Sequence, residues 1–151
     1  MSLYLKRTDM PDELEKVYVD FYWSQRKLWS LLIPTVEIEI QTAEWILDYP
    51  IWYIDAISIP RKILESPSLD LAHAKRVEDA DLSYPIHGIE WKGRYLILDG
   101  IHRLMKAKQL GHVFIKAKTL TEQDIQNILP DEVDFESGFL KQVLDLQRKN
   151  N

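Results

Sequence analysis

The residues best suited to chemistry stand together at positions 99 to 103, where the apolar run YLIL is followed by Asp-Gly-Ile-His-Arg. A tight turn needs only the glycine, so the carboxylate, imidazole and guanidinium beside it require another explanation. A helix that begins after Gly100 presents free backbone N–H groups at the positive end of its dipole, and such groups bind anions, phosphate above all. The segment therefore predicts an anion site at a strand-to-helix joint.

The helix that follows this turn is predicted to direct its basic side chains to one side. At 100° per residue, His102, Arg103 and Lys106 lie within one arc, and the apolar residues lie opposite. No acidic residue occurs between Gly100 and Lys118. Cationic groups at the positive end of a helix dipole are unfavourable alone, and a bound phosphate would remove the conflict. We predict that Gly100, His102, Arg103 and Lys106 bind the ligand.

Asp99 has two interpretations. As a helix N-cap it would accept a backbone hydrogen bond. As a site residue it would hold Mg²⁺ against phosphates or accept a proton, which makes Asp99 and His102 the candidate catalytic residues. Upstream, Ser83 is a candidate phosphate donor and Asp81 a second metal-facing acid. The alternative for Asp81 and Ser83 is a cap-and-turn pair that closes the preceding helix.

The remaining candidates are weaker. His87 alternates with an apolar neighbour on a strand and is predicted to lie at the surface, whereas His73 has no evident partner. Arg76 is predicted to be a solvated helix charge. The aromatic stretch 42–54, TAEWILDYPIWYI, would stack on a base or, as the favoured alternative, pack in a core or dimer contact. We find no HxxxH or HExxH spacing, so a structural metal is not expected.

Composition limits the class of protein. The chain has 151 residues, enough for one domain with a sizeable core, and is 46% hydrophobic and 28% charged. A net charge of −5 argues against sequence-independent DNA binding. The absence of cysteine excludes disulfides and thiolate sites and suits a cytoplasmic location. No apolar run reaches the roughly 18–20 residues of a membrane span, and the opening residues lack a signal-peptide core.

Periodicity and turn residues predict an α/β (α+β) fold, a small mixed sheet with packed helices. The chain is divided into an N-terminal helical segment (1–34), a core (35–120) and a C-terminal helical extension of the same domain (121–151). The predicted helices cover 11–33 and 101–110, and others begin at positions 42, 121 and 139 and after a cap at Ser68 or Asp70. The predicted strands cover 35–40, 85–91, 94–98 and 113–118. Lys92-Gly93 is predicted to form a tight turn, and Gly111 to end the helix over 101–110. Val36, Ile38 and Ile40 are expected to share one face of the first strand.

The segment LDGIHRLMKAKQLG resembles the signature of the ParB/sulfiredoxin superfamily, whose members carry a Gly-x-His-Arg or Gly-Glu-Arg-Arg turn at the start of a helix. DADLSYPIHGIEWKGRYLILDG is similar to the strand pair that precedes this turn, as in ParB-like proteins with an ADLSYPI segment. The match covers about Val77 to Leu120, and more loosely from Val36. The resemblance implies a sulfiredoxin-like fold whose turn binds the phosphates of ATP, ADP or CTP with Mg²⁺.

The departures from the superfamily narrow the function. Sulfiredoxins carry a catalytic cysteine where this chain has Ile101, so sulfinic-acid reduction is excluded. Chromosome-partition members continue into a helix-turn-helix domain, whereas the stretch after Leu120 begins with acidic residues, so DNA is not an expected partner. Related free-serine kinases transfer a phosphate at a similar turn and use a separate carboxylate base. Here the candidates for that base are Glu39, Glu44 and Asp48, and the spacing does not choose among them.

We therefore expect a nucleotide- or phosphate-binding ParB-like domain, a Mg-dependent phosphotransferase or nucleotide hydrolase acting at residues 99–103. The alternative is a non-catalytic module that associates with a protein partner or with a second copy. In that case the acidic segment 131–136 and the aromatic stretch would be contact surfaces. A nuclease is the least favoured function, because it needs a metal-carboxylate cluster and a wider basic face. A membrane partner is not expected.

Overall fold

The computed structural model describes residues 6 to 149 as a mixed sheet with packed helices, which confirms the predicted fold class. The strands are β1 (Val36–Glu39), β2 (Ile86–Trp91), β3 (Arg94–Asp99) and β4 (Phe114–Leu120). The α-helices are α1 (Asp12–Glu15), α2 (Gln25–Trp29), α3 (Ile40–Ala43), α4 (Pro60–Glu65), α5 (Leu71–Asp79), α6 (Ile101–Gln109), α7 (Ile125–Ile128) and α8 (Gly138–Lys149). Short 3-10 helices cover Glu44–Asp48, Pro67–Leu69, Glu122–Asp124 and Glu132–Glu136.

The sheet has the strand order β1-β4-β2-β3. β2 and β3 form an antiparallel hairpin, β1 is antiparallel to β4, and β2 is parallel to β4. Because β4 runs parallel to β2, the chain must cross over after the β2–β3 hairpin. The helix α6, between β3 and β4, makes this crossover. This topology makes β2 an inner strand, with β3 and β4 as its neighbours, and places the start of α6 at the end of an edge strand.

The described residues fall into two compact units. The first, residues 33–120, holds the sheet with α3 to α6. The second combines the described residues 6–32 with 121–149, which come from opposite halves of the sequence. In this second unit Lys27 Nζ donates to the backbone oxygen of Leu129, and Ser24 Oγ donates to Asp134. The predicted site lies within the first unit.

The predicted helix over 11–33 is wrong, because the structure contains two short helices there. α1 ends at Glu15 and α2 begins only at Gln25. Between them Phe21 forms an isolated β-bridge with Lys6, which requires extended rather than helical backbone. Ser24 then starts a new helix, since its side chain accepts a hydrogen bond from the backbone N–H of Lys27.

The alternation in 35–40 correctly predicts a strand, but the three apolar residues do not form one buried face. β1 is an edge strand, and Val36 is 49% exposed. Ile40 is buried as the first residue of α3 rather than as a strand residue. The apolar alternation correctly indicated a strand. How deeply that strand is buried depends on the neighbouring elements, which the sequence does not specify.

The elements that carry the site match their predicted positions. Asp70 is the N-cap of α5, and its side chain accepts a hydrogen bond from the backbone N–H of His73. The β2–β3 turn is formed by Lys92 and Gly93, both at positive φ. These local signals act within a few residues, which explains why they were readable from the sequence.

Candidate functional site

The turn between β3 and α6 requires glycine for two reasons. Gly100 has φ 107°, a conformation that L side chains rarely adopt. A β-carbon added there would also lie 2.6 Å from Cγ2 of Ile86 on β2. Gly100 is the N-cap residue of α6, no side chain caps this helix end, and its first turn contains no acid. The α6 amino end therefore has the features of an anion site.

Arg103 ties the turn to the neighbouring strand ends. Its guanidinium donates to the backbone oxygen of Pro85 and, at 3.1 Å, to Oδ2 of Asp99. Asp99 is therefore an ion-pair partner of Arg103 and not the N-cap of α6, because Gly100 occupies that position. A guanidinium has five N–H donors, so two hydrogen bonds leave Arg103 with donor capacity for a ligand.

Lys106 lies one turn further along α6. Its Nζ donates to the backbone oxygens of Glu78 and Ala80, at 2.8 Å each. These carbonyls belong to the carboxyl end of α5, where a cation interacts favourably with the helix dipole. The ammonium group thus joins α6 to α5 and retains one of its three donors.

Asp81 and Ser83 form a turn pair. The Ser83 backbone N–H and its hydroxyl both donate to Oδ1 of Asp81, at 2.9 and 2.7 Å. These hydrogen bonds, followed by the charges of Lys106 and Arg103, lower the pKa of Asp81. These hydrogen bonds match the alternative interpretation of Asp81 and Ser83 as a turn pair after α5. The charges of Arg103 and Lys106 act on Asp81 at this position.

His102 is joined to a histidine from α5. Its Nε2 lies 2.9 Å from Nδ1 of His73, and the two ring planes are within 15° of parallel. Trp52 stacks on both, with centroid distances of 3.6 Å to His73 and 5.0 Å to His102. We call these three residues the His–His–Trp cluster.

Burial keeps both imidazoles neutral. Desolvation, followed by the nearby His73, Arg76 and Arg103, lowers the pKa of His102 to about 4, against the opposing charge of Asp99. Desolvation also lowers the pKa of His73. At neutral pH His102 is therefore a neutral donor or acceptor at the turn and adds no positive charge.

The predicted surface position of His87 is wrong. β2 is an inner strand, and His87 is only 6% exposed. Its Nδ1 lies 3.6 Å from Oδ2 of Asp99, its cross-strand neighbour. Neither ring nitrogen has a hydrogen-bond partner within residues 6–149. A buried imidazole without partners is rare and requires an explanation.

The three candidate carboxylate bases all have partners of their own. Glu44 pairs with Lys108, and Asp48 pairs with Arg61. Glu39 accepts a hydrogen bond from the Gln41 amide. In addition, the part of the chain that the structure describes holds no group of three or more His, Asp or Glu side chains placed for a metal ion. Within the described residues, neither Asp99 nor Asp81 therefore belongs to such a group.

Four residues near the turn were not predicted as site residues: Trp52, His73, Arg76 and His87. Trp52 stood in the aromatic stretch, but the stretch alone does not say on what it stacks. His73 and Arg76 have the i, i+3 spacing of one helix face. That spacing was the available signal, and it becomes informative only once α5 is known to pack beside α6.

Comparisons with known proteins show a loose similarity to a solved structure. No family model matches the chain, and no curated protein matches it. Among solved structures the chain is similar to sulfiredoxin from Arabidopsis thaliana, with 22% sequence identity and a TM-score of 0.36. The match covers 60% of this chain and 90% of the sulfiredoxin chain. Across residues 6–149, no helix is long and apolar enough to cross a membrane.

Proposed function

We propose that this protein binds a nucleotide through its phosphates at residues 99–103 and acts there as a phosphotransferase or nucleotide hydrolase. The observation that carries the proposal is the amino end of α6. A nine-residue helix begins after a glycine at φ 107°, without a side-chain cap and without an acid in its first turn. Such an end attracts an anion through its N–H groups and its dipole.

The basic side chains of α6 supply the second part of the binding site. Arg103 and Lys106 are anchored by their contacts with Pro85, Asp99 and the end of α5, and each retains donor capacity. An anchored cation loses less side-chain entropy on binding than a free one. Because Asp99 is engaged by Arg103, the proposal gives Mg²⁺ no protein ligand, and the ion would arrive with the nucleotide.

His87 lies behind this turn with an unmet capacity for hydrogen bonds. Its side chain is more than nine-tenths buried beside Asp99, and its ring nitrogens have no partner in the described residues. Such groups are normally satisfied by water, by an ion or by a ligand. Because both nitrogens are closed to solvent, an enclosed water or ion beside Asp99, and not the nucleotide itself, would satisfy the imidazole. ATP, ADP and CTP are the candidate ligands.

A charge placed at the first helical residue tests the binding site without depending on any basic side chain. Ile101→Asp puts a carboxylate where phosphate would bind, and Ile101→Asn has the same shape without the charge. A thermal-shift series with ATP, ADP, CTP and pyrophosphate, with and without Mg²⁺, measures binding. A ligand at 100 times its Kd stabilises the fold by about 2.7 kcal/mol.

The Asn variant is expected to keep a nucleotide-dependent shift, and the Asp variant to lose it. The carboxylate interacts favourably with the helix dipole, so the Asp variant alone remains at least as stable as the Asn variant. Equal shifts in both variants would contradict the site, and no shift with any nucleotide in the unmodified protein would contradict the function.

A second function, protein association, is favoured by exposed apolar side chains near α5. Ile57, Leu69 and Leu71 are 68%, 65% and 72% exposed. Exposed apolar side chains that are grouped together suit a protein partner, whereas single ones need no explanation. In this alternative a nucleotide would bind without turnover. Conversion of the nucleotide in Mg²⁺ to a product with one phosphate fewer separates the two functions, since a non-catalytic module leaves the nucleotide unchanged.

A further inference from the structure

Three side chains of the sheet-containing unit lie in a row: Asp70, His73 and His102. Oδ2 of Asp70 lies 3.9 Å from Nε2 of His73, and Nδ1 of His73 lies 2.9 Å from Nε2 of His102. Asp70 is held in position, because it accepts hydrogen bonds from the His73 backbone N–H at 3.1 Å and from the Ser58 hydroxyl at 3.4 Å. The carboxylate is therefore a fixed negative charge beside one nitrogen of the histidine pair.

A neutral histidine pair can share its one N–H···N hydrogen bond in two ways. If His73 carries its proton on Nε2, the proton faces Asp70, and Nδ1 accepts a hydrogen bond from His102. If His73 carries it on Nδ1, a lone pair faces the carboxylate, which is electrostatically unfavourable. Asp70 therefore selects the first arrangement, since the charge on one ring nitrogen determines what the other presents.

The first arrangement determines the state of the far nitrogen of His102. With its proton on Nε2, His102 carries a lone pair on Nδ1. Within residues 6–149 this Nδ1 makes no hydrogen bond, and unlike the ring nitrogens of His87 it is not sealed from solvent. His102 follows Gly100 by two residues, so this lone pair belongs to the amino end of α6.

We infer that Asp70 and His73 are positioning residues that hold His102 as a proton acceptor for the group that attacks the bound phosphate. This rests on the proposed function. The oxygen of a hydroxyl or water bonds to the terminal phosphorus while its proton passes to Nδ1 of His102. The bond from that phosphorus to the bridging oxygen breaks, and the nucleotide leaves with that electron pair and one phosphate fewer.

The surroundings of His102 suit a proton taken up only during reaction. The charges of Arg76 and Arg103 oppose the imidazolium form, and that of Asp99 favours it. The indole of Trp52, parallel to both rings, would stabilise the cation by a cation–π contact. A phosphate dianion beside Nδ1 would also favour the imidazolium form and so raise the pKa of His102.

The tautomer can be measured without any nucleotide. In the ¹⁵N-histidine spectrum of the ligand-free protein at pH 7.5, we expect an unprotonated Nδ1 and a protonated Nε2 on His102. His73 is expected to show the same pattern. A protonated Nδ1 on His102 would overturn the inference, whatever the protein binds.

Asp70→Asn isolates the carboxylate charge, because asparagine is an equally good N-cap and leaves α5 intact. We expect the His102 nitrogen shifts to move towards values averaged between the two tautomers. Asp79→Asn, which removes the same charge from the other end of α5, is the control and leaves the shifts unchanged. Unaltered shifts in Asp70→Asn would contradict the role of Asp70.

Kinetics test the proton-accepting role separately. If the protein turns over nucleotide, His102→Asn is expected to lower kcat by about 10²–10⁴-fold with little change in KM. A higher KM with unchanged kcat would show that His102 only binds, and would refute the inference while leaving the nucleotide site intact. Nucleotide binding without turnover in the unmodified protein would also refute the proton-accepting role.

Discussion

Replacing Gly100 with alanine tests the geometry on which the α6 site depends. The substitution adds one methyl group at a residue with φ 107°. The new carbon would lie 2.6 Å from Cγ2, 3.0 Å from Cβ and 3.1 Å from Cα of Ile86. Ordinary contacts between carbons are about 3.5–4.0 Å, so either β2 or the start of α6 must shift.

The cost follows from two terms. A left-handed conformation at a residue with a side chain costs about 1–2 kcal/mol. Overpacking against a buried residue costs about 1–3 kcal/mol, and the lower entropy of the unfolded alanine chain offsets about 0.4–1 kcal/mol. We therefore expect Gly100→Ala to lower the free energy of unfolding by about 2–4 kcal/mol, a large share of the stability of a domain this size.

Gly111→Ala is the matched control. Gly111 follows the end of α6 at φ 77°, and a β-carbon there meets nothing within 4 Å. The two variants share the backbone and entropy terms, so their difference measures the contact with Ile86. Urea denaturation at a common m-value gives both free energies. Equal losses in the two variants would refute the close approach of Gly100 to Ile86.

Three further predictions follow from the surroundings of the turn. His87→Leu removes unpartnered buried nitrogens and is expected to leave urea stability unchanged or raise it by about 1 kcal/mol; a loss above about 2 kcal/mol would show that the imidazole has a partner. Because the folded-state pKa of His102, about 4, lies below its ordinary value of 6.5, its neutral state stabilises the fold fully above pH 6.5. Protonation of His102 therefore removes on the order of 2–3 kcal/mol of unfolding free energy as the pH falls from 6.5 to 4. The urea midpoint should fall over this pH range, and His102→Phe should reduce that fall. Lys106→Met leaves the carbonyls of Glu78 and Ala80 to water and should lower stability by about 1 kcal/mol, with a smaller thermal shift from nucleotide; unchanged values for both would contradict its bridging position.

The elements next to the site were readable from the sequence because their signals are local. The Lys92-Gly93 turn, the Asp70 cap and the glycine after α6 each act within about four residues. The same locality explains the failure at 11–33. Apolar spacing predicts a helix there, but the β-bridge between Lys6 and Phe21 joins backbone fifteen positions apart and interrupts it.

The composition and the DGIHR turn determine what chemistry this chain offers: no thiol, a glycine at a strand-to-helix joint, and an acid, an imidazole and a guanidinium beside it. Tertiary structure alone decided how those groups are used. Arg103 reaches the backbone oxygen of Pro85, His87 is buried on an inner strand, and α5 brings His73 against His102 beneath Trp52. The physical reason is distance along the chain: local residue type fixes turns and caps, whereas hydrogen bonding and burial between groups tens of residues apart depend on which helices and strands pack together.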